Sequence, residues 1–84
     1  MSMTLSMHSV TPYAFCRATL ADLRANRGDE PWVRGVRGLC DMYADADAAR
    51  FHIILKQLAR GSPGSALAEG ARWLLPRWTE YERQ

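Results

Sequence analysis

The chain has 84 residues, of which 48% are hydrophobic and 24% are charged, and its formal net charge is +2 at pH 7. This composition is typical of a folded globular protein and argues against global disorder. The net charge is too small to indicate nucleic-acid binding by itself. No apolar run approaches the roughly 18 residues that span a bilayer, so no membrane partner is expected.

The first ten residues predict a short tail in front of one small domain. Residues 1–10 lack a basic region followed by a long apolar stretch, so they do not resemble a secretory signal. We therefore expect a flexible tail over 1–10, a single helical domain over 11–84 and a cytoplasmic location.

Capping residues predict two helices in the first half of the domain. Thr11 and Pro12 form a favourable N-cap and first-turn pair, and the helix ends before Gly28. A second helix runs from Pro31 to about Tyr43. Because only a short turn joins them, the two helices are expected to form an antiparallel hairpin.

The faces of these helices predict how they pack. The first helix has an apolar stripe and an alanine stripe: Tyr13, Cys16, Leu20 and Leu23, and Ala14, Ala18, Ala21 and Ala25. The second helix has one apolar face: Trp32, Val33, Val36, Leu39, Cys40 and Tyr43. Gly35 and Gly38 lie inside it, where each glycine costs roughly 1 kcal/mol relative to alanine. We attribute them to close approach of another backbone, that of the alanine stripe.

Cys16 and Cys40 are equally far from Gly28, so a symmetric hairpin places them at one level. Two interpretations are open, a disulfide or two reduced thiols that pack as small hydrophobic groups, and we favour the second. No CxxC, HxxxH or HExxH spacing holds two metal ligands on one turn. We expect no metal and no cofactor.

Two more helices complete an all-α bundle of about four helices. Asp45 or Asp47 caps the third helix, and Ser62 or Ser65 caps the fourth. Pro76 lies inside the fourth helical pattern and is expected to kink or restart it, because a proline ring clashes with the carbonyl four residues earlier.

Trp73 is the strongest functional signal in the chain. It lies roughly 110–120° from the centre of the apolar stripe of the fourth helix, which consists of Leu67, Ala71, Leu74, Trp78 and Tyr81. Trp73 therefore packs on a second neighbour, such as Leu5, Val10 or Phe15, or it contacts a partner. Ile53 is similar, since it points away from the apolar face of the third helix. Arg77 follows Trp73 by one turn, a spacing that favours a cation–π contact.

No residue pattern indicates catalysis. The paired carboxylates, Asp45 with Asp47 and Glu80 with Glu82, are two residues apart, and on a helix such residues point about 200° away from each other. Phosphate-binding glycine motifs are missing from the sequence. We expect a protein that is not an enzyme.

These observations favour a small protein-binding module, a regulator, inhibitor or accessory subunit acting on a larger protein or complex. Its partner-binding residues are predicted to be Trp73, Arg77, Arg72 and Ile53, because tryptophan and arginine are enriched at binding hot spots. The class includes phage-encoded inhibitors, which share its small size and lack of catalytic motifs.

Two alternatives remain open. A small nucleic-acid-binding protein would use an arginine patch to contact phosphates, made of Arg24, Arg27, Arg34 and Arg37. A homodimer would form through the Trp73 side of the fourth helix, or through the side of the second helix with Gly35, Gly38 and Met42.

Overall fold

The computed structural model describes residues 10–26 and 28–84, and it places four α-helices there. They are α1 (Pro12–Asn26), α2 (Pro31–Tyr43), α3 (Ala48–Ala59) and α4 (Ala66–Arg83). The described residues include no strand, so the all-α class and the number of helices are confirmed. Most of the predicted tail lies outside the described residues. Its last residue, Val10, is half-buried against the core.

Side-chain caps fix where three of the helices begin. The hydroxyl oxygen of Thr11 accepts a backbone N–H of the first turn of α1 at 3.1 Å, as predicted. Of the two aspartates predicted to cap α3, Asp47 does so, and its carboxylate accepts the Arg50 N–H at 2.9 Å. Of the two serines predicted for α4, Ser65 is the cap, and its Oγ accepts the Ala68 N–H at 3.2 Å.

α4 runs through Pro76 without interruption, so the predicted restart of the helix does not occur. Proline has no N–H to donate and crowds the preceding turn. Two carbonyls in this part of the helix accept bonds from side chains. The Arg77 guanidinium donates to the Trp73 carbonyl at 3.0 Å, and the Thr79 hydroxyl donates to the Leu75 carbonyl at 2.9 Å.

α4 is the central helix, because both α2 and α3 pack along it. α2 and α4 are antiparallel, as three pairs of contacting or near-contacting residues show: Trp32 with Trp73, Gly35 with Gly70, and Gly38 with Leu67. α3 is antiparallel to α4 as well. The beginning of α3 meets the end of α4 where His52 Nδ1 lies 3.2 Å from Glu82 Oε1. α1 packs mainly on α2.

α2 and α4 cross in backbone contact where each helix has a glycine. A Cβ added to Gly70 would lie 2.6 Å from the carbonyl carbon of Gly35, and one added to Gly35 would overlap the Ala66 carbonyl. The close approach predicted at Gly35 is therefore confirmed. The predicted neighbour was wrong, since the alanine stripe of α1 is exposed. α4, and not α1, approaches Gly35, because Gly70 of α4 has no side chain and leaves room for the backbone of α2.

The core lies where the four helices meet. Of the face of α4 that was predicted to be buried, Ala71, Leu74 and Trp78 are buried, and Leu67 and Tyr81 are half-buried against the core. The buried residues of the core are Phe15, Cys16, Leu23, Val33, Val36, Leu39, Cys40, Phe51, Leu55, Ala71, Leu74 and Trp78. Trp78 is fully buried, with ring centroids 5.2 Å from Phe15 and 4.9 Å from Phe51. Tyr13, predicted to be buried, is 53% exposed, because the aromatic cluster of α3 and α4 receives Phe15 from α1 instead.

Cys16 and Cys40 are free thiols, both buried, and they are hydrogen-bonded to each other. The structure thus agrees with the prediction that the two cysteines lie at the same level of α1 and α2 and that they are reduced. The hydrogen bond with Cys16, reinforced by burial, raises the pKa of Cys40. The same hydrogen bond lowers the pKa of Cys16, against the effect of its burial.

Candidate binding surface

Trp73 packs against α2, a neighbour that the sequence did not reveal. Its ring lies on that of Trp32, with centroids 4.8 Å apart and 30° between the ring planes. Of the neighbours predicted for Trp73, Leu5 lies outside the described residues, and Val10 packs against the core. Phe15 belongs to the aromatic core and shares a cleft with Trp73. Both tryptophans remain half-buried, so part of the pair faces solvent.

Arg77 completes this arrangement. Its guanidinium carbon lies 3.8 Å from the centroid of the Trp73 ring, which is the cation–π contact expected from the spacing. Because the same guanidinium donates to the Trp73 carbonyl, the arginine is held at two points. A contact of this kind contributes about 0.5–1 kcal/mol at an exposed site. Trp73 is therefore held in place by contacts within the chain.

Arg72 has a structural task next to this pair. It donates to the carbonyls of Ala59, at 2.7 Å, and Gly61, at 3.2 Å, and so satisfies carbonyls at the end of α3 that have no helical donor. The arginine nevertheless lines a cleft beside Trp73. We call Trp32, Trp73, Arg72 and Arg77 together the Trp73 surface.

Two shallow clefts flank Trp73, so its ring separates two depressions. One lies between α2 and α4 and is lined by Trp32, Pro63, Glu69, Arg72 and Trp73. The other lies between α1 and α4 and is lined by Phe15, Ala18, Thr19, Asp22, Trp73, Arg77, Glu80, Tyr81 and Gln84. Each cleft contains an arginine and at least one carboxylate.

Ile53 stands apart from the Trp73 surface. Its side chain is 55% exposed, as predicted, but it lines neither cleft. Of the four predicted partner-binding residues, the structure thus brings together Trp73, Arg72 and Arg77. Trp32 joins them, although the sequence assigned it to the buried face of α2. No sequence pattern pairs the two tryptophans, because their contact depends on the register between α2 and α4.

The arginines predicted for nucleic-acid binding are only partly clustered. Arg24 and Arg37 line one cleft between α1 and α2, while Arg27 lies outside the described residues. Arg34 donates to the Asp29 carbonyl at 2.7 Å. Arg17, which no sequence pattern singled out, lines an adjoining cleft together with Arg24.

The side of α2 predicted to mediate self-association is largely covered. Gly35 is buried under α4, and Gly38 is half-buried, so a symmetric dimer through these two glycines is excluded. Met42, the third residue of that side, is 52% exposed.

Neither a metal site nor a membrane span is found in the described part of the chain. No three histidine, cysteine, aspartate or glutamate side chains of residues 10–26 and 28–84 are grouped to hold a metal ion. None of the four described helices is both long and apolar enough to cross a membrane. Comparisons of the chain with protein-family models, curated proteins and solved structures found no match.

Proposed function

We propose that the protein is a small non-enzymatic binding module and that the Trp73 surface contacts another protein. The observation that carries the proposal is the half-buried pair of Trp32 and Trp73, with an arginine over one of its rings. The module would act in the cytoplasm as a regulator, inhibitor or accessory subunit of a larger protein or complex. Phage-encoded inhibitors are one class of such proteins.

Preorganisation supports this assignment. Immobilising a flexible side chain on binding costs about 0.5–1.5 kcal/mol. Trp73 avoids most of this cost, because Trp32 and Arg77 already hold its ring in place. Tryptophan and arginine are also the residue types that dominate measured binding hot spots. The clefts on either side of Trp73 give a partner room for its own side chains.

Capture from nuclease-treated lysate of the cells that encode the protein tests this proposal. The wild type is compared at low and high salt with Trp73→Ala and with Arg77→Gln, which removes the guanidinium but leaves the tryptophan pair. Met42→Ala is the matched control, since it truncates an exposed hydrophobic residue outside both clefts. Helix content and thermal unfolding are followed by circular dichroism to confirm that each variant is folded.

The proposal requires one protein to be captured at both salt concentrations by the wild type and by Met42→Ala. That protein must be lost with Trp73→Ala and weakened with Arg77→Gln. Equal capture by folded Trp73→Ala, or capture that Met42→Ala reduces as strongly, would contradict the proposed surface.

A further inference from the structure

We propose that the groove between α1 and α2 binds a short acidic segment of a protein. Its basic residues are Arg17, Arg24 and Arg37. The inference names a chemistry for the partner of the binding module, and to that extent it rests on the proposed function. The groove belongs to a different pair of helices from the tryptophan pair, so the two sites are tested separately.

One face of α1 forms the first wall of the groove. Tyr13, Arg17, Leu20 and Arg24 follow one another at spacings of four, three and four residues, which place them on one side of the helix. Leu20 is half-buried and the other three are exposed. The wall therefore consists of two guanidinium groups on either side of an apolar residue.

α2 supplies the opposite wall. Arg37, Gly38 and Asp41 line a cleft together with Leu20 and Arg24. The adjoining cleft is lined by Arg17, Ala21 and the same Leu20 and Arg24. The two clefts adjoin along α1, because they share Leu20 and Arg24. We call the two clefts together the arginine groove.

The three guanidinium groups are available to a ligand. Within residues 10–26 and 28–84, no carboxylate lies within ion-pair distance of Arg24. Among the residues that the structure describes, Arg37 forms an ion pair only with the exposed Asp29, at 3.9 Å, and such pairs contribute about 0–1 kcal/mol. Arg17 donates one bond to the Tyr13 hydroxyl, at 3.1 Å. Each guanidinium therefore retains N–H groups that are able to donate hydrogen bonds to both oxygens of a carboxylate.

Charge in and around the groove favours a short acidic peptide over a nucleic acid. Asp41 lies in the groove and Asp29 lies beside Arg37. An extended phosphate backbone would meet these carboxylates, whereas separate glutamate or aspartate side chains are able to contact only the arginines. Leu20 adds apolar surface to the α1 wall, which an aliphatic side chain of a peptide would cover.

A titration of isotope-labelled protein followed by backbone amide NMR tests the groove directly. The probe is a synthetic glutamate-rich peptide with a central leucine, and its control has every glutamate replaced by glutamine. We expect the acidic peptide to shift amides of Arg17, Arg24 and Arg37. Arg24→Gln combined with Arg37→Gln is expected to lower its affinity by up to roughly thirtyfold, the most that two exposed ion pairs supply.

A matched variant separates the groove from net charge. Arg50→Gln combined with Arg60→Gln removes the same charge from exposed positions of α3 and its C-terminal cap, and it is expected to bind like the wild type. The inference is overturned if the acidic peptide leaves the groove amides unshifted, or if the glutamine peptide shifts them equally. It is also overturned if both double variants weaken binding to the same degree.

Two further arms distinguish the remaining explanations. A single-stranded oligothymidine that binds the groove more tightly than the peptide would replace this inference with the nucleic-acid alternative. Trp73→Ala is expected to bind the acidic peptide as the wild type does. If peptide binding fails while Trp73-dependent capture persists, only the groove is rejected. If the peptide binds but capture is unaffected by Trp73→Ala, the Trp73 surface is rejected.

Discussion

Gly35→Ala adds a single methyl group at the point where α2 and α4 touch. The new Cβ would overlap the Ala66 carbonyl and would lie 3.2 Å from the Cα of Gly70. Both obstacles are backbone, which does not rotate away as a side chain does. The two helices must therefore move apart by roughly 1 Å, and a gap of that size forfeits about a quarter to a half of the dispersion energy of each contact it opens.

The free energy of unfolding should fall by about 2 kcal/mol or more. Overpacking a core costs about 1–3 kcal/mol and occasionally more, and an overlap with backbone atoms belongs at or above the upper end of that range. The higher helix propensity of alanine offsets roughly 1 kcal/mol of this loss of stability. A domain of this length has a total stability of about 4–12 kcal/mol, so the loss is a large share. At about 4–8 °C per kcal/mol, the Tm should fall by about 8–16 °C.

Gly38→Ala is the matched control one turn further along the same helix. Its new Cβ would meet only a methyl group of Leu67, at 3.6 Å, which is an ordinary contact. The variant should gain about 0.5–1 kcal/mol, because alanine restricts the unfolded chain and suits a helix better. Both variants are measured by thermal and urea unfolding. Gly35→Ala melting at or above the temperature of Gly38→Ala would refute the backbone contact between α2 and α4.

The remaining predictions concern the cap of α3 and the thiol pair. Asp47→Ala should cost about 1 kcal/mol of stability in urea unfolding because it removes the bond to the first turn of α3, whereas Asp45→Ala should cost nothing; equal losses would contradict the cap. The raised pKa of Cys40 keeps a proton in the folded state that the unfolded chain releases. Above the ordinary thiol pKa of about 8.5, stability should therefore fall by up to 1.4 kcal/mol per pH unit relative to the variant with both Cys16 and Cys40 replaced by alanine. If the free energy of unfolding of the two proteins changed with pH in the same way, both thiols would have ordinary pKa values, and the prediction would be wrong.

Local features of the fold were predictable from the sequence, because short-range chemistry decides them. Thr11 was predicted as a cap, and Asp47 and Ser65 were each one of two candidates. All three accept a hydrogen bond from a backbone N–H group three residues further along, so the sequence predicts to within a few residues where these helices begin. The buried face of α4 was predictable for a similar reason. It is a single stripe with larger apolar residues than any other face of that helix.

Features that depend on the register between helices were not predictable. α1 has apolar residues on more than one side, and only the aromatic cluster of α3 and α4 decides that Phe15 is buried and Tyr13 is not. Gly35 indicated a close backbone but not which helix provides it. Trp32 was missed as a surface residue for the same reason, because its neighbour Trp73 comes from a helix that is distant in sequence.

The central position of α4 affects how the chain folds while it is being synthesised. α4 follows the other three helices in the sequence, yet it supplies the surface on which both α2 and α3 pack. While the chain grows, the surfaces of α2 and α3 that pack on α4 therefore have no partner until α4 leaves the ribosome. Chains emerge at about 5–20 residues per second, so this exposed interval lasts on the order of seconds. Stable structure thus forms only after translation of α4.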